Sequence, residues 1–141
     1  MGTLKISDLS VGDWVMVNGR PRKISVLAEV WNGSNEVLVG YVAHVNPNGY
    51  NVVFYKPIEH VKPIPITAEI LEQNGFVKNG EYNEWSNGNW DDIPFIGISL
   101  SRPSMRIKNL GTDIFLENKV VYVHQLQHAL RLAGVDKEIN L

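Results

Sequence analysis

Short apolar runs separated by turn residues fill the first half of the chain. Runs of this length that are bounded by Asn, Gly and Pro are typical of β-strands, whose side chains alternate between two faces. We assign strands to Trp14–Val17, Lys23–Trp31, Val37–Val45, Tyr50–Tyr55 and the short segment Ile58–Ile66. Strands at this spacing favour a small barrel. We therefore expect an SH3-like β-barrel over residues 1–66.

A short helix is predicted directly after the prolines at positions 63 and 65. Thr67 is a good N-cap residue, because its hydroxyl oxygen can accept a hydrogen bond from an amide of the first turn. Gly75 suits the left-handed position that ends many helices, and Phe76 is placed to contact Leu71 as in a Schellman ending. The sequence therefore predicts one compact helix between Thr67 and Gly75.

The rest of the chain returns to strand patterns and closes with an amphipathic helix. The predicted strands are Phe76–Lys78, Glu81–Trp85, Phe95–Leu100, Met105–Leu110 and Asp113–Leu116. The final helix is predicted over Val123–Ala133, before Gly134. A helix, an antiparallel sheet and a closing helix make an α+β module over residues 67–141. The whole chain is thus expected to be a β-rich α+β protein of two parts.

The dipeptide Asn-Gly occurs five times and marks reversals of the chain. Both central residues of a type I′ turn need positive φ, which Asn and Gly tolerate best. We predict hairpin turns at Asn18-Gly19, Asn48-Gly49 and Asn79-Gly80. Asn32-Gly33 is expected in a longer reversal, and Asn87-Gly88 in a polar loop.

Composition excludes several classes of protein. The chain has 141 residues, no cysteine and a formal net charge of −2. Without cysteine there is no disulfide framework, zinc ribbon, iron–sulfur cluster or thiol nucleophile. The N-terminus lacks the pattern of a signal peptide, and no apolar run approaches the length of a membrane span. We therefore expect a cytoplasmic protein that does not contact a membrane.

Four segments of the chain resemble a known family. They are Asp8-Leu-x-x-Gly12-Asp13, Lys62-Pro-Ile-Pro-Ile-Thr67, Ile70-Leu71-x-x-Asn-Gly-Phe76 and Tyr122-Val-His-Gln-Leu-Gln127. In these segments the chain resembles a family of small uncharacterised proteins of gut Bacteroidota, often associated with phage or mobile-element neighbourhoods. The resemblance implies a lineage and transfers no functional residue.

The sharpest chemical motif is a pair of histidines, His124 and His128, in the final helix. Histidines four residues apart on a helix can bind one metal ion, as in the H-E-x-x-H motif. Gln125 stands where that motif needs a glutamate, so the general base is missing. The helical periodicity places both histidines beside Arg131, opposite the apolar stripe, and predicts that they face solvent. Incidental surface histidines, a polar recognition stripe and a metal-dependent hydrolase site all remain open.

A second candidate is the acidic, tryptophan-containing segment around Trp85 and Trp90. Between Glu69 and Asp92 the sequence has six acidic residues and one lysine. Exposed tryptophans in such a loop could anchor a protein partner or stack on sugar rings. The alternative interpretation is that one or both tryptophans cover the core.

Nucleic acid is the third possibility, because small barrels often bind it. Basic residues form two groups: Arg20, Arg22 and Lys23 around the first hairpin, and Arg102, Arg106 and Lys108 in the second half. Residues 1–66 hold six basic and five acidic side chains, and residues 67–141 hold seven and ten. Because binding to a duplex usually needs a clear basic face, these groups predict weak contact with single-stranded nucleic acid at most.

These features together favour a non-enzymatic protein. The nucleotide-binding and serine-hydrolase motifs are missing from the sequence. We predict a protein-binding or adaptor protein of phage or mobile-element type, without cofactor or metal. The residues proposed for contact with a protein partner are Trp85, Trp90, His124, His128 and Arg131. The alternatives are a weak single-stranded nucleic-acid-binding protein and, less favoured, a metal-dependent hydrolase.

Overall fold

The computed structural model describes residues 4–30, 36–79, 84–88, 91, 93–117 and 122–141. The contacts divide the chain into two compact units, Met1–Ile64 and Pro65–Leu141. Each unit contains one five-stranded antiparallel sheet, and the described residues include two short α-helices. The predicted class, a β-rich α+β protein, is therefore confirmed. None of the described helices has the length and apolar composition needed to cross a membrane.

The N-terminal unit is an open sheet with the strand order β4-β3-β2-β1-β5. The strands are β1 (Trp14–Val17), β2 (Arg20–Val30), β3 (Glu36–Val45), β4 (Asn51–Pro57) and β5 (Val61–Lys62). Short 3-10 turns cover Ile6–Asp8 and Ile58–His60. Because no sheet closes on itself among the described residues, the SH3-like barrel expected from the sequence is not confirmed.

The long strand β2 changes its partner partway along its length. Residues 20–23 pair with β1, whereas the ladder with β3 runs from Ile24 to Val30. The register shifts between Ile24 and Val26, and such irregularities bend a strand and increase its twist. The Ser25 hydroxyl donates a hydrogen bond of 3.2 Å to the Gly40 carbonyl at this bend. The two halves of β2 therefore belong to differently oriented parts of the sheet.

A buried aspartate connects the loop before β1 to this sheet. Asp13 is fully buried, and its Oδ2 accepts a 2.8 Å hydrogen bond from the Ser10 amide. Its carbonyl accepts a 2.8 Å bond from the Ile24 amide, and the Gly12 amide donates to the Ile24 carbonyl. The core below consists mainly of β-branched side chains: Val15, Val17, Ile24, Val39 and Val61.

The two predicted hairpin turns of this unit are both confirmed. Asn18 and Gly19 have φ angles of 52° and 75°, as a type I′ turn requires, and the flanking Val17 and Arg20 pair. The turn at Asn48-Gly49 is larger, because the last strand pair is Val45 with Asn51. Its geometry is fixed by the Asn46 side chain, whose Oδ1 accepts hydrogen bonds from the amides of Asn48 and Tyr50. The Asn32-Gly33 reversal lies outside the described residues.

The C-terminal unit begins with the helix that the sequence predicted. Helix α1 covers Ala68–Gln73, and the Thr67 hydroxyl accepts a 3.2 Å hydrogen bond from the Ile70 amide. At its end, Gly75 has φ 85° and the Phe76 amide donates to the Leu71 carbonyl, as in a Schellman motif. The predicted helix and both of its ends are confirmed.

The sheet of the C-terminal unit has the order β10-β9-β8-β7-β6. Its strands are β6 (Val77–Asn79), β7 (Glu84–Ser86), β8 (Phe95–Ser99), β9 (Ser104–Asn109) and β10 (Thr112–Leu116). The hairpin predicted at Asn79-Gly80 is present, because β6 and β7 pair, and its register joins Lys78 with Trp85 and Asn79 with Glu84. On the other side of β7, Trp85 pairs with Ile98 and is buried. Residues 80–83 lie outside the described residues.

One face of this sheet is covered by the final helix, α2 (Val123–Leu132). The buried strand residues are Ile96, Ile98, Met105 and Ile107, and the buried helix residues include Val123, Leu126, Ala129 and Leu130. Asn109 lies on the same strand face as Met105 and Ile107, because side chains alternate along β9. Its Nδ2 donates a 2.8 Å hydrogen bond to the Ala133 carbonyl at the end of α2. Helix α2 therefore lies on the apolar face, and we call the opposite face, on which Glu84, Asp113 and Phe115 are exposed, the open face.

Replacing the buried aspartate tests this description of the N-terminal unit. Asp13→Ala should lower the free energy of unfolding by about 1–3 kcal/mol, because it leaves the Ser10 amide without its carboxylate acceptor. Urea denaturation followed by circular dichroism measures the change. The matched control is Asp136→Ala, whose side chain is exposed. An equal loss in both variants would contradict the structural role of Asp13.

Candidate functional site

The histidine pair of α2 does not form an exposed stripe. His124 is only 4% exposed, so the prediction that it faces solvent is wrong. Its ring stacks on Tyr122 with the centroids 5.9 Å apart, and it meets His128 edge-on at 5.8 Å. The prediction failed because helical periodicity gives only the position of a residue around its own helix. It does not show that Tyr122, the N-cap residue, covers the first turn. His128 is half-buried, and only Arg131 of the predicted stripe is exposed.

A metal site at this pair would need a third protein ligand. Within the described residues, no three His, Asp or Glu side chains are grouped closely enough to hold a metal ion. The Nδ1 atom of His124 is itself shielded from solvent. The geometry around the pair is that of packed aromatic rings.

The acidic tryptophan segment is also more structural than the sequence indicated. Trp85 is 7% exposed and pairs across the sheet with Ile98, so it covers the core and presents little surface to a partner. Trp90 lies outside the described residues. In the neighbouring loop, Asn87 donates a 2.9 Å hydrogen bond from Nδ2 to the Pro94 carbonyl, and its Oδ1 accepts one of 2.7 Å from the Ile96 amide. Asn87 therefore closes this loop onto β8.

The second basic group does not form a basic face. Arg106 makes a two-pronged hydrogen bond to Asp113, with distances of 3.1 Å from Nε and 2.7 Å from Nη2. These hydrogen bonds hold the pKa of the Asp113 carboxyl below its usual range and raise the pKa of the Arg106 guanidinium. Arg102 lies in the link between β8 and β9, and Lys108 lies on β9. An acidic side chain therefore already balances the central cation of this group.

The first basic group, in contrast, lies at the edge of a groove. The groove has a volume of about 390 Å³ and lies where β2 changes its partner. It is lined by Trp14, residues 21–25 and Val42. Arg20 follows the hairpin turn, and Lys62 pairs with Met16 on the neighbouring strand. Of the described residues 13–23 and 61–62, Asp13 is the one acidic residue, and it is fully buried.

Aromatic rings hold two of these cations in place. The Arg22 guanidinium lies 5.3 Å from the centroid of the Tyr41 ring, and the Lys23 ammonium lies 5.9 Å from that of Trp14. Such cation–π contacts restrict the positions of long, flexible side chains. The strand register places Lys23 with Trp14 and Pro21 on the groove face, together with Lys62 in the next row, whereas Arg22 pairs with Val15 and lies on the opposite face of β2. A groove with apolar walls and a placed cation is suited to bind an anionic group that is flanked by apolar surface. We call Trp14, Pro21, Lys23 and Val42 the basic groove.

Trp14 is the residue of this groove that the sequence interpretation missed. A type I′ turn at Asn18-Gly19 pairs residue 17 with residue 20, and counting outward pairs Trp14 with Lys23. That arithmetic was sufficient to place the indole beside the lysine. The groove itself was not predictable, because it depends on the bend of β2 and on Val42 from the next strand.

Comparisons of the chain with protein-family models, with curated proteins and with solved structures found no match. The functional argument therefore rests on the geometry of the chain itself.

The two histidines should differ in their importance for stability. His124→Ala should lower the free energy of unfolding by about 1–3 kcal/mol, because it leaves a space beneath Tyr122, and His128→Ala should cost clearly less. Chemical denaturation of both variants measures the difference. Equal effects would show that His124 is not the packed member of the pair.

The ion pair on the C-terminal sheet predicts a low pKa for one carboxyl group. In an NMR titration the Asp113 carboxyl should titrate below the usual aspartate range, and in Arg106→Gln it should return towards that range. Any stability from this pair is present above the usual aspartate pKa and is lost as the pH falls through the lowered pKa. The exposed Asp91 serves as the reference carboxyl in the same spectra. A titration of Asp113 that Arg106→Gln leaves unchanged would contradict the assignment.

Proposed function

We propose that this chain is a non-enzymatic binding protein that holds an acidic segment of a protein partner in the basic groove. The observation that carries the proposal is the placement of the Lys23 ammonium over the Trp14 ring at an open groove, with Lys62 on the same face of the sheet. Cations that are already held in place lose less conformational freedom on binding, which favours affinity. Trp14, Pro21 and Val42 offer apolar surface for the side chains between the partner's carboxylates.

Two features favour an acidic protein segment over a single strand of nucleic acid. Proteins that bind single strands stack bases on accessible aromatic faces. The Lys23 ammonium already occupies one face of Trp14, so a base would have to displace it to stack there. The cations of this region, Arg20, Arg22, Lys23 and Lys62, are also few for a site that follows a phosphate backbone.

We also propose that the N-terminal unit is an SH3-like barrel that is incompletely closed. The support is its connectivity: a meander of strands in which β5, after a 3-10 turn, returns to pair with β1. The bend of β2 gives further support, because it lets one strand serve both halves of such a barrel. The phage or mobile-element lineage remains part of the proposal and rests on the sequence resemblance alone.

Charge reversal in the groove tests the proposed function. A fluorescently labelled peptide of alternating glutamate and valine should bind the full chain, and Lys23→Glu should weaken binding by at least about tenfold, because buried or partly buried charge pairs dominate dissociation. Fluorescence anisotropy measures the affinity. Lys78→Glu, on the C-terminal sheet, makes the same change in net charge and should leave binding unchanged.

The proposal is wrong if the peptide does not bind, or if it binds Lys23→Glu as tightly as the unchanged chain. An oligothymidylate of similar length is the competing probe. If the oligothymidylate binds more tightly than the peptide and its affinity falls steeply with salt, the partner is single-stranded nucleic acid and not an acidic protein segment.

A further inference from the structure

The open face of the C-terminal sheet has a groove of its own, with a volume of about 270 Å³. The strand register places its side chains in two adjacent rows. Asn79, Glu84, Ser99 and Ser104 form one row, and Ser86, Gly97, Arg106 and Phe115 lie in the other. The first row consists entirely of polar side chains, whereas the second ends at an aromatic ring. The groove is therefore polar along its first row, and its second row ends at the aromatic ring of Phe115.

The floor of this groove depends on the glycine at position 97. A Cβ atom there would lie 3.0 Å from Cε2 and 3.1 Å from Cζ of Phe95, so the phenylalanine ring lies alongside the glycine backbone. Phe95 is 9% exposed and thus forms part of the floor. The absence of a side chain at Gly97 creates the depression between the polar row and Arg106.

Hydrogen bonds fix several of the lining groups before any ligand arrives. The Asn79 amide donates a 2.9 Å hydrogen bond to the Ser86 hydroxyl, and that hydroxyl donates one of 3.0 Å to the Gly88 carbonyl. Arg106 is held by both oxygens of Asp113. A preformed set of donors and acceptors around an aromatic ring is typical of sites for small polar ligands.

The charges of the groove favour an uncharged ligand. Glu84 lies in the polar row, Arg106 in the adjacent row is balanced by Asp113, and Lys108, which pairs with Asp113 on the same face, offsets the charge of Glu84. Neither sign of charge dominates, so the groove attracts neither a strong anion nor a strong cation. Phe115, which is 59% exposed at the rim, offers a flat apolar surface to whatever binds.

We propose that this groove binds a neutral saccharide. A sugar ring has apolar C–H faces that pack against an aromatic ring, and hydroxyl groups at its edge that form hydrogen bonds with amide, hydroxyl and carboxylate groups. From Phe115 on β10 to Glu84 on β7 the groove crosses about 14 Å at the usual strand spacing. The ligand is therefore an oligosaccharide: one ring packs against Phe115, and the next rings reach Ser104, Ser99 and Glu84. This site lies in the C-terminal unit and does not depend on the basic groove or on its acidic partner.

The test is NMR titration of the full, isotopically labelled chain with three neutral probes: maltotriose, triacetylchitotriose and mannotriose. At least one probe should bind with a Kd on the order of 1 mM or lower, with shift changes concentrated on strands β7 to β10. Phe115→Ala and Glu84→Gln should each weaken that binding by about tenfold. Phe54→Ala removes an exposed phenylalanine from the N-terminal unit and should leave the binding unchanged.

Both substituted residues are exposed, so the variants should keep the fold, which their own spectra verify. The proposal is overturned if none of the probes shifts the groove resonances at about ten times the expected Kd. It is also overturned if a probe binds but Phe115→Ala and Glu84→Gln bind it as the unchanged chain does. Shift changes confined to other parts of the molecule would likewise exclude this groove as the site.

Discussion

The tight turn at Asn18-Gly19 sets the strand register on which the proposed binding surface depends. Because both turn residues have positive φ, Val17 is fixed opposite Arg20. This pair determines which residues of β1 and β2 lie opposite each other along the rest of the ladder. Trp14 is thereby placed opposite Lys23. A slip of one residue would move every side chain of β1 to the other face of the sheet. The indole would then lie in the core, and Val15 would replace it in the groove.

The bend of β2 is the second constraint. It creates the groove, and the strand register decides which side chains line it. With residues 20–23 paired to β1 and residues from Ile24 onward paired to β3, the two neighbouring strands diverge. Buried Asp13 holds the loop before β1 against Ile24, immediately beside this bend. The loop, the turn and the bend therefore act together to present Lys23, against Trp14, at the edge of the groove.

Much of the fold could be predicted from the sequence wherever local chemistry decides the outcome. The turn at Asn18-Gly19 and the capped helix from Ala68 to Gln73 both follow from single residues with strong conformational preferences. The hairpin at Asn79-Gly80 is present too, but its register, which joins Asn79 with Glu84, does not follow from the Asn-Gly pair alone. His124 was misplaced because the periodicity of a helix does not report what covers its first turn. The sequence identified Arg20, Arg22 and Lys23 as a basic group. The aromatic rings that Arg22 and Lys23 contact lie on other strands.

Chemical-shift mapping of the acidic peptide on the full chain tests the central claim most directly, because it locates the bound peptide without any substitution. The account predicts shift changes concentrated on Trp14, including its indole N–H, on residues 21–25 and on Val42. Binding of the peptide with shift changes centred anywhere else, while those resonances stay in place, would contradict it.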